Sequence, residues 1–339
     1  MKRALIVTDV DLGAAEPERL ARLSQIANMY ASLPFGCDMM VFDPGEAPGR
    51  PVENVPPNIA GLAHLQTNTG EAPRTRHQRI HNAIEALTGS IPPAVVHFDG
   101  VMPDFPDVDG ALRVFDTAHD VSKVPCLDGV DLVLAAVEDV RTAPAFDGLT
   151  AVRLPLLVDE RPARVGPGQM VGWPGPLGAN ELAAWAALLG VMAARGQRLE
   201  AGLLLTSSAL GAMEIPPLHA RAWARPEHYD RQIAQRVLGL GVLPAAGDGR
   251  VLFDLCRLLA LRCPILTTAA VADRFEGRWQ LPTCDTPEHF AGRIDAWTSG
   301  RDSAALAEAT DATRAAFVAD QGAMTRYVVG IIGSLLEGR

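Results

Sequence analysis

Lysine is nearly missing from this chain of 339 residues. Only Lys2 and Lys123 occur, and arginine supplies the rest of the positive charge. The bias is of the kind a GC-rich genome produces and carries no functional weight. An excess of positive charge is missing too: the formal net charge is −10, so the surface repels nucleic acid rather than collecting it. Cysteine pairing motifs are absent. Cys37, Cys126, Cys256, Cys263 and Cys284 are odd in number and form no Cys-x-x-Cys, which excludes a zinc knuckle or a disulfide framework and fits a reducing compartment. Long apolar runs are absent as well. "ELAAWAALLGVMAARG" and "YVVGIIGSLL" fall short of the roughly 20 residues a membrane span needs. The opening "MKRALIVTDV" holds too short an apolar run for a signal peptide and reads as a strand. These absences lead to a cytoplasmic expectation, with peripheral contact at the inner face of a membrane left open. No repeat of short period is present.

What is there is an alternation. The composition, 48% hydrophobic and 21% charged, is that of a soluble globular protein, and the length suits two domains. "RALIVTD" has strand length, "EPERLARLSQIANMYASL" has apolar residues at helical spacing, and "CDMMVFD" is strand again. "RTRHQRIHNAIEALTG" reads as a helix ending at Gly89; "PAVVHFDG", "LRVFDTAHD", "VDLVLAA" and "LTAVRLPL" read as short strands. The stretch 157–169, "LVDERPARVGPGQ", has the proline, glycine and charge of a linker. Beyond it the alternation restarts with "MVGW", a helix over "ANELAAWAALLGVMAARG", strands at "EAGLLLTSS", "HARAWAR" and "GLGVLP", and a helix at "PEHYDRQIAQRVL". "GRWQLP" reads as one more strand; "TPEHFAGRIDAWT", "DSAALAEATDATRAAFVAD" and "AMTRYVVGIIGSLLE" read as closing helices. The pattern predicts an α/β protein of two Rossmann-type halves, each an open parallel sheet, facing across a cleft. The boundaries expected are 1–160, 161–320, and a closing helix over 321–339 packed back on the first half.

Ligands in such sheets sit beyond the carboxyl ends of the strands. That rule singles out His97, Asp99, His119, Asp120, Trp173, Ser207, Ser208, Gly247 to Arg250, Thr267 and Thr268. The stretch "GDGRVLFDLCRLLALRCPILTT" is the most suggestive, a glycine turn feeding an apolar helix and then a buried strand. Helix-start N–H groups bind phosphate through unsatisfied donors and the helix dipole. Gly247 and Gly249 let the backbone approach an anion, and Arg250 can pair with it bidentately. Asp248 is equally suited to cap the helix, in which case the turn holds no ligand. Asp254 and Arg257, at i,i+3, read either as a weak solvated pair or as an arginine turned toward a ribose or diphosphate.

His97 follows apolar strand residues, where a structural histidine is as expected as one that orients hydroxyls. His119 stands in "DTAHD", beside Asp116 and Asp120, where a carboxylate fixes its tautomer or favours its charged form. No second histidine has ligand spacing, so no metal site is read there. Arg74, Arg76, His77, Arg79 and His81 make a dense basic cluster in "RTRHQRIH". They suit a solvated helix start, a phosphate-bearing acceptor or an anionic membrane surface. Ser207 and Ser208 offer hydroxyls to phosphate or face solvent.

The order of segments resembles the family 4 glycosyltransferases, which have the GT-B fold. "PPAVVHFDG", "RVFDTAHDV", "VDLVLAAVEDV" and "VRLPLLVD" are similar to successive strand ends of that family's first half. "MVGWPGPLGANELAAWAALLGVM" and "GVLPAAGDGRVLFDLCRLLALRCPILTT" resemble its second, the latter against "vlPl-gG-G-…-vlEAmalGkPvvtT". The resemblance implies transfer of a sugar from a nucleotide-sugar donor to a glycan, lipid-linked or protein acceptor, with retention, and without metal or cofactor. It implies that the glycine turn and Arg250 stabilise the leaving diphosphate and that His119, with His97 and Asp120, stands near the donor sugar. It places Gly13, Arg74, Arg76 and Arg79 on the acceptor side. Three family features have no match. The Glu-x7-Glu pair falls on Gly249 and Arg257, or its second position on Cys256; the Arg/Lys clamp is absent from "VGWPGPLGANEL"; and "TDVDLGAAEP" offers Gly13 in place of a glycine pair. Two other functions fit the same fold: a non-catalytic partner of an active transferase, and a sugar-nucleotide epimerase.

Overall fold

The structure, a computed structural model, describes all residues other than 1, 9–16, 34, 44–54, 67–72, 90, 100–107, 109, 118–126, 137–140, 142–143, 157, 159–169, 174, 176, 198–202, 207–219, 224–237, 246–248 and 276. The chain divides into two compact units, Met1–Pro155 with Gly322–Arg339, and Leu156–Gln321.

The first unit is built from β1 (Lys2–Thr8), α1 (Pro17–Ala31), β2 (Phe35–Asp43), β3 (Ile59–Gln66), α2 (Pro73–Thr88), β4 (Val95–Asp99), β5 (Leu112–Thr117), β6 (Leu132–Ala135) and β7 (Ala151–Arg153). Its seven strands are all parallel and lie in the order β3-β2-β1-β4-β5-β6-β7. Parallel strands are covered on both faces, which is why "ALIV" and "VV" are runs rather than alternations. One face carries Ala4, Ile6, Val95, Leu112, Val114, Leu132 and Leu134 against Leu23, Ile26 and Tyr30 of α1, and Val328 and Ile332 join the same core. Helix α2 stops where Gly89 takes φ +67, the left-handed turn that glycine adopts without steric cost.

The second unit comprises β8 (Met170–Gly172), α3 (Ala179–Ala194), β9 (Leu203–Thr206), β10 (Ala220–Trp223), β11 (Leu238–Leu243), α4 (Gly249–Ala260), β12 (Ile265–Thr267), α5 (Ala269–Asp273), α6 (Pro287–Thr298) and the first part of α7 (Ser303–Glu337), whose residues from Gly322 onward belong to the first unit. Its five described strands are parallel in the order β10-β9-β8-β11-β12. Helix α4 buries Leu252, Phe253, Leu255, Leu258 and Leu259. It ends on Arg262 at φ +54, with Cys263 N–H donating to Leu258 O at 2.9 Å. The similar family motif has glycine there; here an arginine accepts the left-handed conformation, which costs a non-glycine residue about 1 kcal/mol.

Four expectations change. "GRWQLP" forms no strand; instead Thr283 makes an isolated parallel bridge to Thr267. Strand β3 was not expected, because "IAGLAHLQ" mixes small and polar residues where a strand signal is weak. The two closing helices are one continuous helix, α7, since Gly322 inside a helix costs only about 1 kcal/mol and does not stop it. Helix α5 follows β12 directly, with Thr268 as its N-cap. The helix expected at "PEHYDRQIAQRVL" lies almost entirely outside the described residues. Among the described residues, no helix is long and apolar enough to cross a membrane.

Candidate functional site

In the first sheet the strand order reverses between β1 and β4, the point at which open α/β sheets form ligand crevices. Thr8, Asp99 and Asp116 stand level there on three neighbouring strands. Equal level puts their side chains on one face, and α1 lies over that face. The helix presents Arg19, Arg22, Leu23, Ile26 and Tyr30 at helical spacing, so its inner stripe is apolar with charged residues toward one end.

Arg22 is 2% exposed and is held on every side. Its Nε and Nη2 donate to Asp116 Oδ2 and Oδ1, each at 2.8 Å. Its Nη1 donates to Gln25 Oε1 at 2.8 Å, Leu154 O at 2.9 Å and Pro155 O at 3.3 Å, and Gln25 Nε2 donates to Pro155 O at 2.7 Å. This bidentate pair ties α1 and β5 to the residues where the chain leaves the first unit. Burial works to raise the Asp116 carboxyl, yet Arg22 and His97 together hold it well below the usual carboxylate range.

Asp99 is placed differently. Thr8 Oγ1 donates to Asp99 Oδ2 at 3.1 Å, and Arg19 Nη2 lies 3.4 Å from the same oxygen. Burial and the nearby Asp116 charge push its pKa above the ordinary value; Arg19, the Thr8 hydroxyl and His97 pull against them and do not prevail. His97 lies one level deeper on the same face. Its Nδ1 is 3.0 Å from Tyr30 Oη, and its Nε2 is 3.8 Å from Asp116 Oδ2. The Tyr30 ring meets it edge-on, with centroids 5.6 Å apart. Burial, before any nearby charge, raises the Tyr30 phenol well above its usual value, so it is neutral.

The second sheet reverses between β8 and β11. After β8 come Trp173, fully buried, and Gly175, where a Cβ would overlap the carboxylate of Asp254 on α4. Asp254 lies 3.8 Å from Arg257, and both side chains are largely buried. Beyond Gly175, a Cβ on Gly178 would come 2.6 Å from Glu181 Oε2, so this acid of the first turn of α3 folds back over the helix start. Among the described residues, Trp173 Nε1 and Thr267 Oγ1 are buried without a hydrogen-bond partner. Thr268 Oγ1 accepts from Val271 N–H at 3.4 Å.

No family model and no curated protein sequence matches the chain. Solved structures do. TarM superposes over 99% of both chains with a TM-score of 0.66 at 8% identity. A UDP-glucose:anthocyanidin 3-O-glucosyltransferase in complex with UDP matches with a TM-score of 0.54 over 98% of this chain and 99% of that one, at 10% identity. An O-GlcNAc transferase from Thermobaculum terrenum matches with a TM-score of 0.54 at 12% identity; 98% of this chain spans 66% of that one. The fold is GT-B. Membership of family 4 within it does not follow from these matches.

Within the GT-B frame the candidates separate. Gly13, His119, Asp120, Ser207, Ser208, Gly247 and Asp248 lie outside the described residues. Gly249 and Arg250 open α4, directly after the loop that follows β11. Arg74, Arg76 and Arg79 lie on α2. His97 is fully buried between Tyr30 and Asp116, a supporting position rather than one at the face of a site. Asp254 and Arg257 do form a local pair, but it is enclosed rather than solvated, because the β8 exit closes over Asp254. Sequence reasoning missed Arg22, Asp116 as its partner, and Tyr30. The available signal was an arginine beside the apolar stripe Leu23–Ile26–Tyr30, where burial requires an acid from elsewhere. Among the described residues no cluster of three His, Cys, Asp or Glu is arranged to hold a metal ion.

Proposed function

We propose that the chain transfers a glycosyl group from a nucleoside-diphosphate sugar to an acceptor hydroxyl, without a metal ion and, as the family resemblance implies, with retention. The observation that supports this reading is agreement of both units, along almost the whole chain, with solved glycosyltransferases of the GT-B fold. The second unit is the natural donor side. The helix start of α4, with Gly249 and Arg250, offers backbone donors and charge to the leaving diphosphate. The first unit is the acceptor side, with its polar groups gathered at the ends of β1, β4 and β5. The acceptor is a glycan, a lipid-linked sugar or a protein.

A thermal-shift and calorimetric panel of UDP-, GDP- and dTDP-sugars tests the reading. One of them should stabilise the protein by about 2.7 kcal/mol at a hundredfold excess over its Kd. If every sugar nucleotide leaves the melting point unchanged, the donor assignment falls. A second reading, a non-catalytic partner of an active transferase, draws support from a specific feature. Residues 173–182, which follow β8, contain no arginine or lysine in the sequence, and Gly175 lies against Asp254, where a diphosphate would favour positive charge. Tight nucleotide-sugar binding without turnover separates the two readings.

A further inference from the structure

Each sheet ends in two outer strands, and three of the four described edges are blunted. β7 has three residues and carries Arg153; β10 has four and carries Arg221; β12 has three and is bridged at Thr267 by Thr283. Short, charged or covered edges keep a strand's outward N–H and C=O groups from pairing with another chain. β3 is different. Its eight residues, "IAGLAHLQ", include no Asp, Glu, Lys, Arg or Pro. A one-residue bulge at Ala60 is followed by unbroken register from Gly61 to Gln66. Among the described residues β2 is its single strand neighbour, and no backbone hydrogen bond reaches it from elsewhere. Ile59, Gly61, Leu62 and Ala63 are half-buried, Ala60 is exposed, and Val55, just ahead of the strand, is 37% exposed.

The surroundings of this edge suit a second copy of the chain. With a formal net charge of −10, two copies repel each other least where charge is absent. A twofold axis at β3 sets the strand antiparallel to its twin. The same outward groups then meet from both sides, and no charged residue of the strand meets its like. Helix α2 seats over β2 and β3, with Leu87 against Gly61. At a strand spacing of about 4.8 Å, a helix so placed lies about 10 Å from its twin, which is the separation of packed helices. The two helices are then antiparallel. α2 carries Arg74, Arg76 and Arg79 in its first half and its one acid, Glu85, in its second, so the basic start of each lies beside the acidic end of the other.

We propose that the chain forms a twofold dimer through β3, which joins the seven-stranded sheets of two copies into one continuous sheet, with the two α2 helices packed across the junction. The inference goes beyond the glycosyl-transfer reading and does not depend on it. The reversal point between β1 and β4 lies inside the sheet, away from the junction, so each copy keeps its own candidate site.

The test uses the full-length chain without ligand. Sedimentation from low micromolar to about 100 µM should show a species of twice the chain mass growing with concentration. Hydrogen exchange at the amides of Gly61–Gln66 should slow by at least about tenfold between monomer and dimer. Ala60→Lys adds a charge at an exposed edge position, and Glu85→Arg reverses the acidic end of α2. Each should weaken association by about tenfold and leave the monomer's melting point unchanged, whereas the uncharged Ala60→Ser should stay within about twofold of wild type. A wild type that is monomeric throughout overturns the proposal, and slow exchange of the Gly61–Gln66 amides in that monomer would assign the edge to another part of the same chain. A dimer unaffected by Ala60→Lys and Glu85→Arg, or one whose β3 exchange does not change on dilution, has its interface elsewhere and overturns the proposal as well. No nucleotide sugar is present, so none of these results bears on the transfer reading.

Discussion

In the first unit, buried acids meet arginines: Asp116 takes the fork of Arg22, and Asp38 that of Arg3. In the second, Asp254 faces Gly175, Arg257 lies 3.8 Å from it, and buried polar atoms of Trp173 and Thr267 have no hydrogen-bond partner among the described residues. Five strands of the first sheet and the five described strands of the second follow the same relative order, so the contrast is not forced by the topology. The first unit uses charge pairs to fix α1 against the sheet and to anchor the residues at Pro155. Around α4 the second relies on apolar packing; buried polar atoms without a described partner occur in both units, His97 Nε2 in the first among them. In the first unit Asp99 lacks such a fork and is held by Thr8 at 3.1 Å and Arg19 at 3.4 Å.

The contrast can be broken most severely at Arg22. Arg22→Met leaves Asp116 buried without compensation and should cost about 3–5 kcal/mol in denaturant unfolding. Adding Asp116→Asn should recover much of that loss, because no buried charge then remains. The deficit of Asp116→Asn alone should depend on pH in a defined direction. The folded-state pKa of Asp116 lies below its unfolded value, so its contribution is present above about pH 3.9 and is lost as pH falls through the folded value. Measured melting temperatures of wild type and Asp116→Asn should therefore converge in strong acid.

In the second unit the matching test is Gly175→Ala. The added methyl overlaps the Asp254 carboxylate and should destabilise by about 1–3 kcal/mol, with a positive coupling to Asp254→Ala in a double-mutant cycle. An additive cycle would show that Gly175 and Asp254 do not share the space. A smaller effect separates Asp99 from its neighbour. Its folded pKa is raised, so its ionised form disfavours the fold at neutral pH. Asp99→Asn should melt slightly higher than wild type at pH 7.5, and the difference should disappear below about pH 3.9. A melting point lowered at pH 7.5 would mean that the carboxylate is structural. The smallest expected change is at Arg262, where glycine should add about 0.5–1 kcal/mol by relieving the left-handed conformation. The exposed pair of Arg262 with Asp311, at 3.4 Å, has little to lose.

Legibility in the sequence followed local signals. β1, β4 and β6 were readable because their apolar runs have strand length, and α2 because Gly89 ends it. β3 was not, since "IAGLAHLQ" is held by its neighbour β2 rather than by its own propensity. "GRWQLP" carried a local strand signal that found only one bridge to β12. The likeness to glycosyltransferases was visible in the order of motifs, and the superposition with solved structures supports the fold at identities of 8–12%. The supporting network around Asp116 was invisible because Arg22 and Asp116 are 94 residues apart, and neither has a spacing signature.

Sequence alone determined the α/β class and the parallel character of both sheets, because apolar periodicity and run length act locally. Tertiary structure alone decided which buried acids are matched by a guanidinium fork. Register puts Thr8, Asp99 and Asp116 on one level, and the face of α1 decides which of them receives a guanidinium. The protonation of a carboxylate depends on burial and on charges a few ångströms away, and those distances exist only once strands far apart in sequence lie side by side.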